Sequence, residues 1–413
     1  MSPEQKQTAL QEFEFILKRA TEKHASDLHL KSGLPPIVRV NGNLFYLGDE
    51  SKENITRLTP EHLRVWVNAL LNNRQKEAYE GGEEIDLGFE LQSGGRFRIN
   101  ICQQRGLPRL VCRYIPDRIL TIDELGLPPA VKQLALSARG LLLVTGATGS
   151  GKSTTLAAII DHIARTQSSH IVTIEDPIEF IFKDRRSVVT QREIGIDTRT
   201  FPKALKYALR QDPDVILVGE MRDEETVEMA INGAETGHLV LSTLHTNDAS
   251  ETINRVIGSM PSKSNAAVRA QLASTLIGVI SQRLIPRADK KGRIAAHEIM
   301  VCNARVREMI IDPERTISIR NAIEESENIG MCSFDQSLMR LYRQKLISEQ
   351  EALANCTNVR DFQMRLQGVV STQPSPDNSP GNQFSAPKVD FGNFGPSIEI
   401  ESVAVPSRKK KTG

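Results

Sequence analysis

The stretch Gly140-Leu-Leu-Leu-Val-Thr-Gly-Ala-Thr-Gly-Ser-Gly-Lys-Ser153 constrains this chain more than any other. Leu141 to Val144 is an apolar run of the kind that fills a buried parallel strand. It leads directly into Gly146-x-x-x-x-Gly151-Lys152-Ser153, the spacing of a P-loop. Thr154-Thr-Leu-Ala-Ala-Ile-Ile160 then predicts a helix. This order of parts suits an anion. Glycines let the backbone wrap a phosphate without Cβ clashes, and the helix adds the positive end of its dipole. The candidate phosphate-binding residues are Gly146, Thr148, Gly149, Ser150, Gly151, Lys152, Ser153 and Thr154. Lys152 has the reach for the β- and γ-phosphates of ATP, and the Ser153 hydroxyl suits Mg²⁺.

Downstream, short apolar strands alternate with helical stretches. The strands are Ile171 to Ile174, Val215 to Val218 and Leu239 to Leu244; the helices span 202–210, 224–234 and 250–257. The pattern predicts an α/β fold with a doubly wound sheet and its chemistry at the carboxyl ends of the strands. Polar clusters stand there: Glu175-Asp-Pro-Ile-Glu179, Gly219-Glu-Met-Arg-Asp223 and His245-Thr-Asn-Asp248. Residues 266–285 are largely apolar and read as a core helix, 293–300 as a last strand, and 331–366 as short helices.

Upstream of the P-loop, Phe13, Ile16, Leu17 and Ala20 fall at helical spacing. Leu28 and Leu30 alternate with Asp27, His29 and Lys31, which predicts a strand with one wet face and an exposed histidine. Asn41-Gly42 marks a hairpin. Further alternating strands at 85–91, 96–101 and 110–115 set Arg96, Arg98 and Arg113 facing outward. These elements predict a smaller N-terminal α/β domain over residues 1–118 and a second domain over 119–368. Residues 369–413 are rich in Pro, Ser, Asn, Gly and Gln and predict a disordered tail.

At 413 residues with 39% hydrophobic and 25% charged content, the chain suits two globular domains and a tail. Net charge is +1, so no overall field points to nucleic acid. No apolar run approaches the roughly 20 residues of a membrane span. Five widely spaced cysteines form no C-x-x-C pair, so neither a zinc site nor a disulfide framework is expected. A reducing cytoplasm fits that usage.

The motifs together resemble the secretion ATPases, and within them the type IV pilus retraction ATPases, from Ala25 to about Leu366. Ile174-Glu-Asp-Pro-Ile-Glu179 is similar to that family's Asp box. Asp212-Pro-Asp-Val-Ile-Leu-Val-Gly-Glu-Met-Arg-Asp223 is similar to its atypical Walker B segment, and Glu235-Thr-Gly-His-Leu-Val-Leu-Ser-Thr-Leu-His245 to its His box. The resemblance implies a RecA-like ATPase core with a PAS-like N-terminal domain. It also implies roles. Glu179 would be the general base, although the residues themselves leave Glu175 open. Glu220 would join Ser153 in the Mg²⁺ and water network. His245, with His238, would couple the γ-phosphate to domain movement, and Arg98 and Arg113 would approach the phosphates. The implied assembly is a homohexamer in the cytoplasm, peripheral to the inner membrane, acting on a pilus platform protein and working with a paralogous retraction ATPase.

Where retraction members carry an Ala-Ile-Arg-Asn-Leu-type helix, this chain reads Ala304-Arg-Val-Arg-Glu-Met-Ile310. It keeps Arg307 and has Glu308 and Met309 in place of Asn and Leu. Extension and type II secretion motors carry a four-cysteine insertion and an added N-terminal domain, so retraction is the expected direction. The alternatives are an accessory, weakly active retraction paralogue and a pilus-extension or type II secretion ATPase. Asn-Lys-x-Asp and Leu-Ser-Gly-Gly-Gln segments are missing, against GTPase and transporter-ATPase readings.

Overall fold

The computed structural model describes residues 1–40, 42–48, 57–92, 94–115, 118–290 and 292–367. The expected tail at 369–413 and Asn41 of the expected hairpin turn lie outside the described residues. The described residues divide into two compact units, Met1–Arg118 with Asp176–Ile181, and Ile119–Glu175 with 182–367.

The first unit opens with α1 (Pro3–Glu22), whose Ser2 cap and Gln5 form a capping box. Then come β1 (Asp27–Lys31), β2 (Ile37–Val40), β3 (Asn43–Tyr46), α2 (Pro60–Leu70), α3 (Asn73–Glu80), β4 (Ile85–Glu90), β5 (Arg96–Gln104) and β6 (Leu107–Ile115). The strands form one sheet in the order β3-β2-β1-β6-β5-β4, antiparallel throughout. Alternation does what the sequence predicts. Leu28, Leu30, Ile99, Ile101 and Leu110 bury one face beneath α1 and α2, with Phe13 set against Trp66 and Phe89. The other face keeps the arginines, and the β5–β6 register places Arg98 directly opposite Arg113. The expected exposed histidine is only half-exposed. His29 Nε2 is buried without a partner, and burial pushes the imidazole below its usual range.

The second unit holds α4 (Pro129–Ala135), β7 (Gly140–Thr145), α5 (Lys152–Thr166), β8 (His170–Glu175), β9 (Val188–Glu193), α6 (Phe201–Ala208), β10 (Val215–Val218), α7 (Glu224–Glu235), β11 (Leu239–Leu244), α8 (Ala249–Gly258), α9 (Asn265–Thr275), β12 (Leu276–Pro286) and β13 (Arg293–Val301). Among the described residues five α-helices follow: α10 (Ala304–Ile311), α11 (Ile319–Glu324), α12 (Phe334–Arg343), α13 (Glu349–Asn355) and α14 (Val359–Leu366). The seven strands run β13-β12-β7-β11-β10-β8-β9, parallel except for β13. The unbroken apolar run of β7 now has its reason. Leu141 and Leu143 face one core, shared with α6 to α11, while Leu142 and Val144 face another, shared with α4 and α5.

The structure corrects one expectation. Residues 266–285 are not one helix: α9 ends at Thr275, Leu276 turns extended, and β12 begins. A largely apolar run gives too weak a periodicity to separate helix from strand. Pairing decides it, because β12 fills the slot between β7 and β13. Gly278 lets it fit, since a Cβ there would lie 2.9 Å from both Leu134 Cδ1 and the Met300 carbonyl.

Candidate active site

β7, β11, β10 and β8 are parallel and in register, Val218 pairing with both Ser242 and Ile174, so their carboxyl ends share one edge of the sheet. The P-loop leaves β7 at that edge. Gly146 and Gly151 must be glycines, with φ of +143° and +93°. A Cβ on Gly146 would stand 2.5 Å from the Gln282 carbonyl and 2.6 Å from Ser150 Oγ. Gly151 caps α5 without a side-chain hydrogen bond, so the first-turn N–H groups have no side-chain acceptor at the cap. Lys152 is buried, and its Nζ donates to the Gly146 and Ala147 carbonyls at 2.9 and 3.1 Å. The side chain thus lies across the loop. Thr148 and Ser153 are exposed, and Thr154 is half-buried. A cavity of about 300 Å³ opens against Gly146 to Ser150, with Asn247, Gln282 and Arg283 on other walls.

Glu220 follows β10. Its carboxylate pairs with Arg222 at 2.8 Å and with His245 Nε2 at 3.3 Å. Burial alone would raise its pKa, but the Arg222 hydrogen bond and charge, His245 and Lys152 outweigh that and hold it below the usual range. Glu220 is therefore an anion at neutral pH, within the field of the P-loop lysine. Hydrogen bonds from Ser242 and Thr243 to the Val218 and Gly219 carbonyls, both 2.7 Å, fix its loop to β11. His238 lies at the other end of β11 and contacts the Gly233 carbonyl through Nδ1 at 2.9 Å.

The two candidate bases differ. Glu175 Oε1 accepts from Thr173 Oγ1 at 2.7 Å and Gln191 Nε2 at 3.1 Å, at the end of β8. Glu179 belongs to the segment grouped with the first unit, where Arg98 Nη1 approaches Oε1 at 3.4 Å and Arg96 Nε donates to the Ile178 carbonyl at 2.8 Å. Arg98 also pairs with Asp86 at 3.2 Å. Arg113 meets Asp27 at 3.0 Å. The structure thus gathers the P-loop, Glu220 and His245 at one sheet edge, and gathers Glu179 with Arg98; Arg113 has a separate carboxylate. Two residues escaped sequence reasoning. Arg222, two residues after Glu220, stood in the Gly219–Asp223 cluster without a role, and Gln282 was hidden inside the misread apolar run.

A sequence profile described as type II/IV secretion system protein matches residues 4–352. The chain belongs to this family. It is 43% identical over 337 residues to the type IV pilus retraction ATPase PilT of Pseudomonas aeruginosa, covering 82% of this chain and 96% of that one. To the type IV pilus ATPase PilU of the same organism it is 39% identical over 355 residues, covering 86% and 91%. The crystal structure of the pilus retraction motor PilT with bound ADP superposes with a TM-score of 0.76 at 42% identity, over 84% of this chain and 97% of the other. The expected secretion ATPase architecture, with its P-loop α/β core, therefore holds.

A nucleotide fits what this chain presents. A Cβ on Gly146 would collide with the Gln282 carbonyl, Ser150 Oγ is buried without a hydrogen-bond partner, and the Lys152 side chain crosses the loop. For Mg²⁺ the donor chemistry also fits: an exposed serine hydroxyl in the first turn of α5, and the ionised Glu220. Mg²⁺ keeps waters and phosphate oxygens and needs few protein ligands. Among the described residues no group of three His, Cys, Asp or Glu side chains could hold a metal ion, and no helix is long and apolar enough to cross a membrane.

Proposed function

We propose that this chain hydrolyses Mg·ATP as a homohexameric motor and retracts a type IV pilus, working at the cytoplasmic side of the inner membrane on the pilus platform protein. The observation that carries the reading is the similarity to PilT along 96% of that protein, with the P-loop, Glu220 and His245 all present at one sheet edge.

Hydrolysis of ATP is mostly positioning and charge stabilisation. In this reading the P-loop from Gly146 to Thr154 binds the phosphates, and Lys152 exchanges the Gly146 and Ala147 carbonyls for phosphate oxygens. Bound with the nucleotide, Mg²⁺ neutralises phosphate charge, and Ser153 and Glu220 are the residues to hold it. An anion held below the usual pKa is a good partner for a cation and a poor proton acceptor, which leaves the base role to Glu179. Glu175 is the weaker candidate, since two donors already occupy its Oε1. Arg98 and Arg113 supply further positive charge by releasing Asp86, Glu179 and Asp27. His245 passes the state of the Glu220 carboxylate into the loop before α8, and movement of packed units follows.

The test has two arms. Lys152→Ala abolishes ATP turnover by the purified protein; wild-type turnover in that variant refutes the P-loop assignment. A deletion strain is piliated yet does not twitch; loss of surface pili restored by the wild-type gene makes this an extension motor. Similarity to PilU across 86% of the chain favours, as a second reading, an accessory retraction ATPase. In that case the deletion strain still twitches while a second retraction ATPase is present.

A further inference from the structure

Gln282 on β12 is buried, at 2% exposure, and both ends of its amide are engaged. Nε2 donates to the Ser150 carbonyl at 2.7 Å, and Oε1 accepts from Thr155 Oγ1 at 2.9 Å. One contact is with the P-loop and the other with the first turn of α5, so a single side chain spans the junction where loop becomes helix. The neighbouring Ser281 is likewise bonded to Thr145, at 2.9 Å, which ties β12 to the strand that launches the loop.

The geometry at Ser150 has a consequence for the anion site. In a trans peptide the carbonyl and the following N–H point in opposite directions. Holding the Ser150 carbonyl on Gln282 therefore aims the Gly151 N–H away from β12. That N–H has no acceptor among the described residues. Gly151 adopts φ +93°, and glycine lets a peptide rotate between orientations that other residues forbid. Rotation of this peptide would turn a carbonyl dipole toward the bound phosphates and take an N–H donor away.

We infer that Gln282 is a positioning residue for the nucleotide: its amide locks the Ser150–Gly151 peptide so that the Gly151 N–H stays available to phosphate. This rests on the nucleotide reading above. With both ends of its amide engaged by the chain, the residue acts through that peptide, so its loss shows in affinity and in KM more than in the turnover of saturated enzyme. The cost expected for losing one charge-assisted hydrogen bond corresponds to a roughly tenfold to hundredfold change in affinity.

The experiment titrates Mg·ADP into the full-length protein by calorimetry and records the thermal midpoint without nucleotide. Two variants are used, so that misfolding of one leaves the other informative. Gln282→Leu keeps the volume and loses both contacts; Gln282→Glu keeps an oxygen for Thr155 and loses the donor to Ser150. Both are expected to bind Mg·ADP roughly ten times more weakly or worse, with kcat/KM for ATP falling more than kcat. A folded variant of either kind that binds within about twofold of wild type overturns the inference, as does a lowered thermal midpoint with unchanged affinity. Wild-type protein that fails to bind Mg·ADP overturns the nucleotide reading itself, whatever the variants do.

Discussion

Glu298 offers a measurement that follows from burial alone. It sits on β13, 4% exposed, and its Oε1 accepts the N–H of Ala249, the first residue of α8, at 2.8 Å. Burial pushes the carboxyl up to about 7; the Ala249 N–H opposes the rise, Asp248 adds to it, and Arg283 and Arg320 pull it back. An unfolded glutamate titrates near 4.5. Between these values the folded chain holds a proton that the unfolded chain has released, so stability falls as pH rises through the window. At about 1.36 kcal/mol per pH unit the whole window amounts to roughly 3 kcal/mol, of which roughly 2 lies above pH ~5.5. Glu298→Gln keeps an oxygen for the Ala249 N–H and cannot ionise. Relative to wild type, the variant should therefore gain about 2 kcal/mol between pH ~5.5 and pH ~8. Urea unfolding followed by far-UV circular dichroism is the assay. The single tryptophan, Trp66, lies in the first unit, so its fluorescence reports on the wrong sheet. His297 next door, pushed down to about 4 by burial and by Arg340, is present in both proteins and cancels in the difference. Parallel stability curves for the two proteins across that range would refute the argument.

Three further outcomes test the site and the fold. Glu179→Gln should bind ATP and stall before hydrolysis, seen as a bound, uncleaved nucleotide in single-turnover experiments; normal turnover there with an inactive Glu175→Gln moves the base role to Glu175. Arg98→Lys and Arg113→Lys should both slow ATP hydrolysis, because an ammonium does not reproduce the planar fork; full activity in both assigns the arginines to their pairs with Glu179, Asp86 and Asp27 alone. Gly278→Val should destabilise the second unit by about 1–3 kcal/mol, since its Cβ meets Leu134 and the Met300 carbonyl at 2.9 Å; an unchanged denaturation midpoint would mean that the β12 slot yields.

Sequence alone determined the parts whose signals are local. The P-loop announces itself because glycine spacing, an apolar strand and a helix are consecutive, and the acidic clusters stand out because each follows a short apolar run. Alternation along β5 and β6 likewise placed Arg98 and Arg113 on one face, opposite a buried row of Ile99, Ile101 and Leu110. Tertiary structure decided whatever depends on a distant partner. Residues 276–286 are a strand because β7 and β13 stand on either side, and nothing within an apolar run states that. From that pairing comes Gln282, whose bond to Ser150 joins positions 132 residues apart. The same holds for Glu298, an ordinary acidic residue in the sequence, whose raised pKa exists only because the surrounding sheet and helices exclude water. Local pattern sets backbone conformation and the wet or dry face; which groups then meet, and at what dielectric, is fixed only when the strands find their order in the sheet.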